Sequence, residues 1–214
     1  MRLEELRALL ETARDRRMPH VERLTVTAAV VSEQLKPRGM IATLVGGAAI
    51  ELHAPGVYTT TDIDLVVEGQ SRTELDMALT ELGFTRHARH WVLDDLLVEV
   101  PGNWMSDPID IIHAGALSLR VVRREVVLAD RIVGFKHWRS TAYGAQAVAL
   151  LAIFGESFDE GWLRSRLLTE GADDALAALR TLAKRSGQIT EEHLQQTLAQ
   201  LHAASVRPPD AESI

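Results

Sequence analysis

The chain opens on a helical pattern. Leu3, Leu6, Leu9, Leu10 and Ala13 recur three or four positions apart with charged residues between them, which predicts an amphipathic helix over Leu3–Arg17. Pro19 interrupts it. A second helical pattern runs from about Val21 to Leu35, and Lys36-Pro37-Arg38-Gly39 stops it. The period then shortens. Met40–Val45 is an apolar run of strand length, Gly46-Gly47 follows, and Ala48–His53 reads as a short helix closed by Ala54-Pro55-Gly56. The threonines Thr59, Thr60 and Thr61 lead into Asp62–Val67, where alternation and β-branched residues predict a strand. Ser71 with Glu74 three positions on has the form of a capping box and starts a helix that ends at Gly83. Strand-like runs occupy Phe84–Leu93, Leu96–Val100, Ile109–Ile112 and Leu117–Val122.

Beyond about Val126 the pattern is helical throughout: Leu128–Trp138, Tyr143–Phe154, Phe158–Leu168, Asp173–Arg185 and Glu191–Ala204, the last capped by Thr190. This order predicts an α/β (α+β) fold, a mixed sheet with flanking helices followed by a helical C-terminal half. The expected divisions are an α/β core with its helical lead-in over 1–125, a helical domain over 126–205 and a flexible tail over 206–214.

Composition narrows the chemistry. The chain has 214 residues, 46% apolar and 25% charged, enough for a sizeable core that must be mainly aliphatic because only 5% is aromatic. Cysteine is absent, which removes disulfides, thiolate metal sites and cysteine nucleophiles. A net charge of −7 disfavours indiscriminate coating of nucleic acid but leaves room for a local basic pocket. No run approaches the roughly 18 apolar residues of a membrane span. The opening residues lack the apolar middle of a signal peptide, so the expectation is a cytoplasmic protein with no membrane partner.

The segment that carries chemistry is Val45-Gly46-Gly47 with Asp62-Ile63-Asp64 downstream. Residues two apart on a strand share a face, so Asp62 and Asp64 point one way while Ile63, Leu65 and Val67 point into the core. Two adjacent carboxylates repel unless a cation lies between them, and hard divalent cations favour such oxygen surroundings. The diglycine between a strand and a helix can present bare amides to an anion. Each half also has a plain reading, a solvated edge strand and a tight turn.

In this ordered combination the chain resembles the nucleotidyltransferase superfamily with the DNA polymerase β-like fold. It is most similar to small stand-alone bacterial members of the abortive-infection toxin type. The resemblance covers Ile41 to about Val100 and extends more loosely through Asp130–Lys136. It implies Mg²⁺- or Mn²⁺-dependent transfer of a nucleoside monophosphate from ATP or another NTP. It leaves the acceptor open among RNA such as tRNA, a protein or a small molecule, and, for a toxin–antitoxin component, it implies a cognate partner protein.

Carried onto this sequence, the resemblance makes Asp62, Asp64 and a third carboxylate the catalytic and metal-binding residues. Glu99, in Leu96–Val100, is the choice for the third; Asp110 is the runner-up and Asp95 stands behind it. Gly46, Gly47, Thr60 and Lys136 are the expected nucleotide-binding residues, although Thr60 equally suits shaping the turn and Lys136 a solvated helix face. Tyr58 stands where related members often carry a basic residue, a departure that suits a non-catalytic binding or regulatory module of the same fold. An antibiotic-adenylating type of small-molecule modifier is the other alternative.

His87, His90, His113 and His137 show no metal-ligand spacing and read as structural or surface residues. Trp91, Trp104, Trp138 and Trp162 read as packing residues. Arg120, Arg123 and Arg124 form a small basic cluster of surface character.

Overall fold

The computed structural model describes residues 1–69, 71–185 and 188–206, with side chains as far as residue 203. It is a mixed α+β fold whose chain divides into two compact units, Met1–Val127 and Leu128–Ile214.

In the first unit, α1 (Leu3–Arg14) and α2 (His20–Leu35) precede β1 (Ile41–Val45), α3 (Gly46–His53), β2 (Asp62–Glu68) and α4 (Arg72–Glu81). Five strands follow: β3 (Thr85–His87), β4 (His90–Leu93), β5 (Leu96–Gly102), β6 (Ile109–Ala114) and β7 (Leu117–Val122). The α1 helix stops short of the expected Arg17 because Asp15 takes an extended conformation and accepts the Arg17 amide at 3.0 Å, a local turn that competes with the helix. The α4 helix starts where expected, with the Ser71 hydroxyl accepting the Glu74 amide at 3.5 Å. One expectation is corrected. Phe84–Leu93 is not one strand but a hairpin, β3 and β4 paired through His87 and His90 with Ala88 at φ +54° in the turn.

The sheet runs β3-β4-β5-β2-β1-β7-β6, with β2 parallel to β5, β1 parallel to β7 and the other pairs antiparallel. On β2 the apolar face is fully buried at Ile63, Leu65 and Val67, each 0% exposed. Burying side chains of this size contributes about 1.5–3 kcal/mol each. That burial pins the register, because a slip of one residue would turn the apolar face to solvent. The same alternation holds Asp62 and Asp64 on the other face, half-buried.

The helix α5 (Arg124–His137) starts four residues before the expected Leu128 and continues into the second unit. That unit also holds α6 (Thr141–Phe154), α7 (Glu160–Thr169), α8 (Asp173–Ala183) and α9 (Glu191–Val206). Ser140 and Asp159 cap α6 and α7 through the amides of Tyr143 and Trp162. Close crossing of α5 and α6 requires small residues: a Cβ on Gly134 would lie 2.1 Å from the Tyr143 ring, and one on Gly144 would lie 2.5 Å from the Phe135 ring. The tail expected over 206–214 lies, beyond Val206, outside the described residues.

The tryptophans divide. Trp91 is buried at 1% exposure, but Trp104 and Trp138 stand in solvent at 72% and 69%, which corrects their expected role in packing. Trp104 sits in the loop after β5, and Trp138 lies just past the end of α5 with its ring tilted against Tyr143.

Candidate active site

Three neighbouring strands build the site. On β2, Asp64 pairs in register with Val45 of β1 on one side and with Glu99 of β5 on the other. On β4, His90 pairs in register with Glu99. The strand order therefore brings residues 62, 64, 90 and 99 to one patch of the sheet. One ligand atom from each of Asp62, His90 and Glu99 lies within 4.8 Å of the other two, and all three residues are half-buried. The His90 Nε2 is 3.1 Å from the Glu99 Oε2, and the exposed Arg89 brings its Nε to 3.5 Å from the same oxygen.

The diglycine abuts the acids. Gly46 begins α3 with φ +63°, and a Cβ there would fall 2.1 Å from the Asp64 Oδ2. A Cβ on Gly47 would fall 2.7 Å from the Thr60 hydroxyl and 2.9 Å from the Tyr58 ring. The first amides of α3 have no partner within the helix, so its N-terminus presents donors beside the carboxylates.

Thr60 is 3% exposed and holds Asp62 in place, its hydroxyl donating to the Asp62 Oδ1 at 2.9 Å. Thr60 is itself clamped: its amide donates to the buried Glu51 at 3.1 Å, and its carbonyl meets the His20 Nε2 at 2.8 Å. The hydroxyl offered by the sequence for a phosphate is thus engaged with an aspartate.

The rejected carboxylates are elsewhere. Asp110 lies on β6 at the far edge of the sheet, 3.4 Å from Arg123. Asp95 lies in the turn between β4 and β5, where the buried Arg23 meets it at 2.6 Å. That hydrogen bond holds the Asp95 carboxyl below the usual carboxylate range, against the opposing effect of burial. In the basic cluster Arg120 donates to Thr43 at 3.2 Å, Arg123 faces Asp110 and Arg124 faces Glu125. Lys136 belongs to the second unit, where its ammonium lies 2.5 Å from Asp174.

His90 is the residue that sequence reasoning missed. Its signal was present in the pairing arithmetic, since β4 and β5 are joined by the two-residue turn Asp94-Asp95 and counting back from it sets His90 opposite Glu99. Reading Phe84–Leu93 as a single strand hid that register.

Chemically, the patch joins two kinds of group: carboxylate and imidazole ligand atoms close enough to share one cation, and helix-terminal amides suited to an anion. That combination fits a divalent ion with a phosphate-bearing ligand. No protein-family model and no curated protein matches the chain. Among solved structures it is similar to the antibiotic-resistance factor ANT(2'')-Ia in its solution structure, at 15% identity. That match covers 83% of this chain and 94% of the other at a TM-score of 0.41.

Proposed function

We propose that the protein is a nucleotidyltransferase that moves a nucleoside monophosphate from an NTP to a hydroxyl or amine acceptor. The observation that carries this reading is the convergence of Asp62, Asp64 and Glu99 beside a glycine turn so close that a Cβ on Gly46 would collide with the Asp64 carboxylate. In the reaction the acceptor oxygen or nitrogen forms a bond to the α-phosphorus, the bond to pyrophosphate breaks, and the acceptor's proton passes to a carboxylate.

Within that scheme the amides at the start of α3 bind phosphate oxygens, and Gly46 and Gly47 leave room for Asp64, Thr60 and Tyr58 to pack against that helix start. Thr60 orients Asp62. Glu99 would assist the ion that favours the deprotonated acceptor or take the acceptor's proton directly. Asp62 and Glu99, whose carboxylate oxygens belong to one group of ligand atoms within 4.8 Å, would hold Mg²⁺ or Mn²⁺ together with Asp64 on the same half-buried face of β2. When bound, the ion neutralises phosphate charge and favours the deprotonated acceptor.

A second reading is favoured by one observation. Glu99 already faces two of the protein's own cationic or ionisable groups, Arg89 and His90, as it would in a non-catalytic binding module. The experiment separates them. Purified protein is incubated with α-labelled NTPs, with and without divalent ions, and with tRNA, protein and small amine or hydroxyl acceptors. These acceptor classes include those of the toxin-type resemblance, in which a cognate partner protein would suppress transfer. Label transfer is expected only with the ion. Asp62→Asn or Asp64→Asn should lower it by about 10³-fold, which several kcal/mol of lost charge stabilisation implies. Transfer that persists in both variants would contradict the assigned roles, and absence of transfer to every acceptor class favours the binding module.

A further inference from the structure

We propose that Asp62, His90 and Glu99 form a mixed imidazole–carboxylate site selective for a first-row transition ion such as Mn²⁺ over Mg²⁺. This deepens the nucleotidyl-transfer reading by naming the class of ion, and rests on that reading only for the use to which the ion is put.

The donor set is the first argument. Mg²⁺ demands near-octahedral oxygen surroundings, whereas imidazole nitrogen favours the first-row transition ions. Mn²⁺ accepts both carboxylate and imidazole and stands between these extremes. An imidazole whose Nε2 is 3.1 Å from the Glu99 oxygen, with an Asp62 carboxylate oxygen inside the same 4.8 Å group, offers one nitrogen and two oxygen ligand atoms that could share one ion. Ligands about 2.1 Å from a common ion lie about 3–4 Å apart, and the His90–Glu99 spacing falls in that range.

Preorganisation is the second. His90 is fixed by two hairpin registers at once, opposite His87 on β3 and opposite Glu99 on β5, so its position does not depend on a loose loop. Asp62 is oriented from outside the group by the buried Thr60 hydroxyl, which Glu51 and His20 in turn hold through the Thr60 backbone. Outer partners of this kind set ligand orientation in metal sites. Arg89, the competing cation on Glu99, is 72% exposed and sits in the β3–β4 turn. Solvent screens its attraction strongly, so an ion between the ligands can displace it.

The test uses the full chain and Mn²⁺ as the probe. Pulsed electron paramagnetic resonance on the Mn²⁺-loaded protein should show ¹⁴N coupling that becomes ¹⁵N coupling when histidine is ¹⁵N-labelled. His90→Gln should remove the coupling and weaken Mn²⁺ binding by at least about tenfold, since even outer partners are worth that much. The same substitution should leave Mg²⁺ binding nearly unchanged. If His90→Gln unfolds the chain, seen by circular dichroism, the isotope comparison on the wild type stands alone. Bound Mn²⁺ without nitrogen coupling, unchanged affinity in a folded His90→Gln, or no Mn²⁺ binding overturns the proposal and leaves a structural His–carboxylate contact. Nitrogen coupling without nucleotidyl transfer would count against the function and not the site, while transfer without nitrogen coupling would count against the site alone.

Discussion

Gly46 meets two demands at once. Its φ of +63° is one that L side chains adopt at a cost of about 1–2 kcal/mol, and the space a Cβ would need is taken by the Asp64 carboxylate. The Gly46→Ala variant should therefore lose at least about 1–2 kcal/mol of stability in denaturant unfolding, the backbone cost alone, with displacement of Asp64 adding to it. Its loss of transfer activity should exceed what the unfolded fraction explains, because Asp64 must move. Equal activity per folded molecule would show that the glycine serves the backbone alone. The acids and the glycines were legible in the sequence because spacing along one chain carries them. The reason for the glycines was not, since contact between Gly46 and a side chain eighteen positions on depends on the β1–β2 register. Thr60 makes the same point: its hydroxyl suited a phosphate or a turn on paper, and folding gives it to Asp62.

Among elements, the strands read best where burial is one-sided, as on β2, and worst where a turn carries no glycine. The Ala88-Arg89 turn places a non-glycine residue at positive φ, so no usual turn signal divides β3 from β4. That gap concealed His90, whose role depends on the hairpin and not on any motif. The helices α7 and α8 are linked by a contact with a pH signature. Arg180 donates to both oxygens of Glu160, at 2.8 and 2.5 Å, and with help from Arg164 holds that carboxyl down to about 2 although burial opposes it. A carboxyl depressed in the folded state stabilises above its unfolded value near 4.5 and loses that contribution as pH falls toward 2. At pH 7 the Glu160→Gln variant should be less stable than the wild type, by at most about 1 kcal/mol because the pair is partly exposed. The difference should shrink below pH 4.5 and vanish near pH 2 in urea unfolding followed by circular dichroism. A difference that stays constant from pH 7 to pH 3 would show that the ion pair is not its source.

For the whole molecule, the order of elements and the change from α/β to helical character near residue 126 could be read from periodicity alone. Strand order could not, and it decides which acids meet. Asp110 and Glu99 both sit on short apolar strands in the sequence. Only the order β5-β2-β1-β7-β6 puts Glu99 beside Asp64 and sends Asp110 to the edge. None of the described helices is long and apolar enough to cross a membrane. A chain of net charge −7 that nonetheless collects more carboxylates at one patch needs a counter-charge there before it can accept a triphosphate. Calorimetric titration with a non-hydrolysable nucleoside triphosphate, with and without Mn²⁺, tests this most directly. The account predicts saturable one-to-one binding that requires the ion and disappears in the combined Asp62→Asn and Asp64→Asn variant. Ion-independent binding that survives in that variant, or no binding under either condition, would contradict it.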